Sequence, residues 1–192
     1  MLELLGIFSA FGLSASAGLN AYIPLLVVAL LAKFTDLIQL AKPWDALTSW
    51  WIIGLLMLLS AVEFFADKIP AVNHVNDIIQ SIIRPAAGAV AFAASTSVVS
   101  DMSPVLALAA GLLVAGSVHT VKSAVVRPAV TATTGGAGNV PVSIAEDLTS
   151  TVVSILSVVV PVVIACLFSL ITAWIIWLLW RRANRNRNQA VS

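Results

Sequence analysis

"HTVKSAVVRPAVTATTGGAGNVPVSIAEDLTS" occupies residues 119–150 and interrupts an otherwise apolar chain. It gathers His119, Lys122, Arg127, Glu146 and Asp147 around three glycines, with long apolar runs on both sides. Of the 192 residues, 60% are hydrophobic and 10% are charged. The mean hydropathy is +1.03. A water-soluble domain carries about 25% charged residues, so this chain has too few to cover a water-facing surface. Several apolar runs approach or exceed the ~20 residues that cross hydrocarbon. The stretch therefore reads as a polar interruption between membrane helices. The net charge of +1, with no basic face carrying interleaved aromatics, gives no reason to expect nucleic acid as a partner.

On its N-terminal side the chain reads as four spans. Residues 4–32 form the first, interrupted near Gly18-Leu19-Asn20 and Pro24. A secretory signal is a poor alternative, because Glu3 and no Lys or Arg precede the apolar run. The second runs from Trp50-Trp51 to about Phe65, and "ADKIPAVNHVND" follows it. The third runs from about Asp77 to Val99, interrupted at Pro85, and turns tightly at 100–103. The fourth covers Pro104 to about Val126. On the C-terminal side, 148–180 is apolar and divided by Pro161. The expectation is an all-α polytopic membrane protein of about five transmembrane helices, or six if Pro161 splits the last run. It has broken or re-entrant polar segments, with 1–180 as one domain.

Trp174, Trp177 and Trp180 share one helix face as an interfacial belt, and "RRANRNR" follows. The positive-inside bias places the tail, 181–192, in the cytoplasm of a bacterial inner membrane. Counting back through five spans puts Lys33 and Lys42 inside, the N-terminus outside, and both polar interruptions at the outer side. Cys166 stands alone in an apolar run, so the chain forms no internal disulfide and no cysteine metal site.

Nine charges do not lie in evident loops or ends: Glu63, Asp67, Lys68, Asp77, Arg84, Lys122, Arg127, Glu146 and Asp147. A lone charge at the bilayer centre costs at least ~2.5–3.5 kcal/mol. These must sit at the interface, pair with one another, or line water. Glu63 and Asp67 are four apart, as are Asp77 and Ser81, with Arg84 three further on; His119 and Lys122 are three apart. Five acids face four bases and a titratable histidine, which leaves one carboxylate for a cation or proton. Any metal would take Glu63 and Asp67. "LLMLLSAVEFFADKIP" and "GLLVAGSVHTVKSAVVRP" share an order of small, ionisable, basic and proline residues, which suggests a two-span internal repeat. Other readings compete. Ser143-x-x-Glu146 can be a capping box. Lys68, Lys122 and Arg127 can reach toward headgroups. The glycines and Asn139 can form a re-entrant or anion-binding turn.

"GLNAYIP", "EFFADKIP", "DIIQSIIRPAAG", "HTVK", "TTGGAGN" and "SIAED" together resemble a family of small, mostly bacterial integral membrane proteins, the domain of unknown function 4126 family. The resemblance covers nearly the whole chain and implies a helical membrane domain of this length. It implies no activity. Glu63-x3-Asp67-Lys68 is also slightly similar to the Glu-x-Gly-Asp-Lys signature of cation/proton exchangers, but the spacing is off by one and the glycine is absent. Lys122, Arg127-Pro128 and the glycine turn are slightly similar to membrane acid phosphatases, but the serine-histidine that should follow is missing.

Three functions follow as expectations. One is a transporter or channel for an ion or small charged solute, using Glu63, Asp67, Lys68, Asp77, Arg84, His119, Lys122, Arg127, Asn139, Glu146 and Asp147. The second is a binder or translocator of a phosphate-containing lipid headgroup. The third is a non-transporting partner in a membrane complex. No nucleophile, base and orienter set points to an enzyme, and no cofactor is implied. A bundle of about five helices walls off little by itself, which suggests a homo-oligomer in contact with membrane lipid.

Overall fold

A computed structural model describes residues 2–96 and 102–189. Among these there are no strands. The helices are α1 (Leu2–Leu19), α2 (Tyr22–Phe34), α3 (Trp50–Ala66), α4 (Pro70–Thr96), α5 (Pro104–Val121), α6 (Arg127–Thr134), α7 (Asn139–Val159) and α8 (Pro161–Gln189). A 3₁₀ turn at Trp44–Thr48 precedes α3, and a π turn at Lys122–Val126 joins α5 to α6. The protein is an all-helical polytopic membrane protein. Three segments are long and apolar enough to cross a bilayer: Asn76–Thr96, Pro104–Thr134 and Asn139–Val159. Leu5–Leu19, Tyr22–Phe34 and Trp50–Ala66 are shorter apolar helices.

The interior and exterior are reversed relative to a water-soluble protein. Trp50, Trp51, Ile82, Val105, Leu113 and Trp180 point outward, while Arg84 and Glu63 are sealed inside. With lipid outside, large apolar side chains gain nothing by going in, and small residues let helices approach. Leu13, Ala17, Ala21, Val28, Ala87, Ala91 and Ala115 form the core between α1, α2, α4 and α5. Gly18 shows how close the approach is. A Cβ there would stand 2.6 Å from the Ala115 carbonyl oxygen and 2.6 Å from Val118 Cβ.

The first 34 residues correct the single span expected there. α1 and α2 break at Asn20, whose Oδ1 accepts from the backbone N–H groups of Tyr22 (3.2 Å) and Ile23 (3.1 Å). That side chain caps α2 in the manner of an N-cap residue. Pro24 sits in the first turn of α2, where no intrahelical donor is required. Leu5, Gly6 and Ser9 line the same cavity as Asp36 and Gln39. The start of α1 and the end of α2 therefore lie at one end of the bundle, and the pair returns on itself with Asn20 at its tip. The alternation that set the N-terminus opposite Lys33 does not hold.

Two further boundaries differ, and the division at Pro161 falls where it was expected. α4 begins at Pro70, not Asp77, and runs through Pro85, which removes one donor without ending the helix. The break expected at 127–146 shrinks to a short turn, because α5, the π turn and α6 form one helical run of 31 residues, Pro104–Thr134. Gly135 (φ +62°) and Gly136 (φ +91°) end that run in the left-handed region. The glycines thus cap a helix and do not make a re-entrant loop. The last apolar run divides at Val160 (φ −137°, ψ 67°), and α8 opens at Pro161. The turn expected at 100–103 lies partly outside the described residues.

Gly18→Ala should lower the unfolding temperature in detergent by the equivalent of about 1–3 kcal/mol, the range for overpacked cores. Gly54→Ala, where a Cβ meets nothing within 4 Å, should not. Equal behaviour of the two would refute the close α1–α5 crossing.

Candidate functional site

The tip of the α1–α2 pair is where the charges collect. A helix break leaves carbonyls at one end and N–H groups at the other, with partial charges of opposite sign. Lys122 Nζ donates to the Leu19 carbonyl at the end of α1 (3.0 Å). The Ala21 N–H, at the start of α2, donates to Glu63 Oε2 (3.0 Å). A cation therefore meets the negative end of one helix and a carboxylate meets the positive end of the next.

From these two contacts the network spreads. Arg84 on α4 is fully buried and donates from Nη2 and Nε to Glu63 Oε1 at 2.9 and 3.1 Å. It also donates to Asp67 Oδ2 at 3.3 Å. Its Nη1 lies 3.2 Å from His119 Nδ1. A guanidinium only donates, so Nδ1 accepts and the ring proton of a neutral His119 sits on Nε2. Asp67 is the hub: its Oδ2 also meets Arg127 Nη2 (3.0 Å) and Lys122 (3.6 Å), while Oδ1 accepts from Asn76 (2.7 Å). Arg127 Nη1 pairs with Asp77 (3.1 Å), and Lys122 with Glu146 (2.7 Å). Asp147 accepts from Lys68 (3.0 Å) and from Asn20 Nδ2 (3.0 Å). Lys68 also donates to the Phe64 carbonyl and stands 3.2 Å over the Phe64 ring.

The π turn makes this possible. In an α-helix, residues five apart point about 140° apart, so Lys122 and Arg127 would not face one site. Here the Arg127 N–H donates to the Lys122 carbonyl, closing the turn in five residues and bringing both cations to one face. The cause is local. Pro128 lacks a donor, and in an ordinary α-turn its ring would clash with the carbonyl of Ala124, so such a turn is disfavoured just there.

All nine charged residues singled out in the sequence, and His119, gather around this tip: Glu63, Asp67, Asp77, Arg84, Lys122, Arg127, Glu146 and His119 form one connected network, and Lys68 and Asp147 pair beside it through Asn20. Asn139 does not. It pairs with Thr131 beside the exposed turn (3.0 Å). The capping-box reading also fails: α7 starts four residues before Ser143, whose buried Oγ has no partner, and Glu146 and Asp147 lie in the interior of the helix. Sequence reasoning missed Asn76 and Gln80. Their common signal is an amide inside or beside an apolar segment. Gln80 is 2% exposed, and neither its Oε1 nor Asp77 Oδ1 has a hydrogen-bond partner. These two acceptors stand one helical turn apart on α4. The described site is thus rich in acceptors, with five carboxylates to four cations. Among the described residues no group of three or more His, Cys, Asp or Glu has the arrangement of a metal site.

A family model described as Domain of unknown function (DUF4126) matches residues 7–181. The chain belongs to this family. No curated protein and no solved structure matches it.

Arg84→Met should cost about 3–5 kcal/mol of stability, because it leaves Glu63 and Asp67 buried with less compensation. Adding Glu63→Gln should recover part of that loss. Asn139→Ala should stay within about 0.5 kcal/mol. Additive losses in the double variant, read from thermal unfolding, would show that the two side chains are not coupled.

Proposed function

We propose that this member of the family is a small transporter or channel for an ion or small charged solute, and that its cargo is cationic. The carrying observation is the imbalance of the buried network: five carboxylates, four cations, and two buried oxygen acceptors without donors on α4. Intramembrane ionisable groups are costly and usually functional. A cationic cargo would restore neutrality without displacing an existing pair.

The phosphate or headgroup reading draws on the same residues and is less well supported. Lys122 and Arg127 already engage Asp67, Asp77 and Glu146. A phosphate would have to replace those carboxylates while they remained buried beside it. The exposed tail arginines Arg181 and Arg182 support a cytoplasmic C-terminus in a bacterial inner membrane. A chain this small has few helices with which to enclose a wide pathway, which supports a homo-oligomer.

Thermal unfolding in detergent against monovalent and divalent cations, inorganic phosphate and phospholipid headgroups tests the reading. A ligand at 100 times its Kd that binds only the folded state should stabilise by about 2.7 kcal/mol. The expected outcome is a cation shift that Glu63→Gln or Asp77→Asn removes. A phosphate or headgroup shift lost in Lys122→Ala would transfer the assignment to lipid. No shift with any ligand, and only lower stability in the variants, would leave the charges as structural.

A further inference from the structure

α4 and α5 run antiparallel, and they are close along part of their length only. A Cβ on Gly88 would overlap Ala115 Cβ, and one on Gly111 would overlap the Gly88 carbonyl oxygen. At Gly116 the helices part: a Cβ there would meet only Pro85, at 3.6 Å. The gap is a groove of 590 Å³, lined by Ser81 and Pro85 of α4 and by Leu112, Gly116, His119 and Thr120 of α5. Both helices belong to segments that can cross a bilayer. Leu112 and Leu113, at the groove's apolar end, are exposed. The groove therefore opens sideways, onto lipid.

Its polar end holds one donor. His119 is 4% exposed. Its Nδ1 accepts from Arg84 (3.2 Å), which leaves the ring proton on Nε2. Nε2 has no hydrogen-bond partner among the described residues, yet it is not one of the sealed orphan atoms. It reaches the groove that the residue lines. Buried polar groups are nearly always hydrogen-bonded, so an unmatched imidazole N–H calls for an acceptor. The hydroxyls beside it do not compete as donors. Ser81, Thr120 and Ser123 each give their hydrogen to a backbone carbonyl one turn back. No carboxylate, lysine or arginine lines the groove.

We propose that the groove is a lipid site, in which an acyl ester carbonyl of a glycerophospholipid accepts from His119 Nε2–H and the chain lies along Gly116, Leu113 and Leu112. Charge and depth select the ester. A phosphate would bring negative charge to a groove with one neutral donor and no cation. A neutral carbonyl needs one donor and finds one. Ser81 stands about 8 Å inside the Asn76–Thr96 segment, at about 1.5 Å per residue. The ester is the polar group of a phospholipid that adjoins the chains, so it follows them to a depth that the headgroup does not. From His119 to Leu112 the groove then offers about 10 Å of helix to the chain. The site goes beyond the transporter reading and does not rest on it. It touches the charge network at one point, because a carbonyl on Nε2–H holds His119 in the neutral tautomer that accepts from Arg84.

The test uses the full chain, delipidated in detergent and titrated by native mass spectrometry with two phosphatidylglycerols of matched chain length. One is a diester and the other a dialkyl ether, which lacks only the carbonyls. The diester should bind at least about fivefold more tightly, the ratio that one net neutral hydrogen bond gives. His119→Phe should abolish that preference. Gly116→Leu should abolish it too, since a larger side chain there has the groove to enter. This second variant leaves the His119–Arg84 contact in place and decides the matter if His119→Phe does not fold. Equal binding of the two lipids by the wild type would overturn the site. So would an ester preference that Gly116→Leu leaves unchanged, because the contact would then lie elsewhere. A preference for phosphatidylglycerol over phosphatidylethanolamine, with the linkage making no difference, would overturn it in favour of a headgroup contact.

Discussion

The fold depends on how one broken helix is terminated in the buried interior of the bundle. Water cannot satisfy the backbone groups that a break exposes there. At the tip of the α1–α2 pair the solution is charge: Lys122 takes the Leu19 carbonyl and Glu63 takes the Ala21 N–H. Each of these ions is itself too costly to bury alone. Lys122 therefore needs Glu146 and Asp67, and Glu63 needs Arg84. Arg84 and Lys122 bring in Asp67, which brings in Arg127 and, through it, Asp77. The centre of the network thus grows out of one backbone break.

This dependence explains what was legible in the sequence. Charges in apolar runs are rare, so their cost alone narrowed Glu63 through Asp147 to pairing with one another, lining water or sitting at the interface. The mutual pairing could be anticipated from composition without knowing any helix boundary. The boundaries were harder. Asn20 was readable as a break, but whether the chain continues or turns back after it depends on partners such as Glu63 and Lys122, which are 42 and 103 residues away from Ala21 and Leu19. Polar residues at 127–134 looked like loop because hydropathy was taken as the sign of helix. In the protein that segment continues a helix whose π turn carries Lys122 and Arg127 inward. The buried serines of α7, Ser143, Ser150, Ser154 and Ser157, were hidden for a related reason. Serine is small and mildly polar, so a run of Ser and Val scores as membrane helix whichever face is turned inward.

The π turn couples local chain chemistry to the whole site. Pro128 disfavours an ordinary turn, and the extra residue in the turn sets the register of everything from Arg127 onward. An α-helical register there would rotate Arg127 away from Asp67 and Asp77 and leave both with fewer partners. Arg127 and Lys122 stand at the two ends of the turn, on one face, and share Asp67 and Glu146. The turn is therefore held in place by the same carboxylates that it serves. A change of charge on either carboxylate alters the balance that keeps the turn wound in this way.

A purely structural account has to explain the surplus. Terminating the tip requires one cation and one anion, and making those two neutral requires two counter-ions. Asn20 already caps α2 with its own side chain. Four charges would close the break, whereas this protein buries or half-buries nine, with acids in excess and with Asp77 Oδ1 and Gln80 Oε1 lacking donors. Apolar replacements of buried ion pairs are often as stable or more so, so stability alone gives no reason for the additional pairs. What the additional charges provide is a site reaching from Asp147 on α7 to Asp77 on α4. It lies against the break between α1 and α2, where a cation meets one helix end and a carboxylate the other.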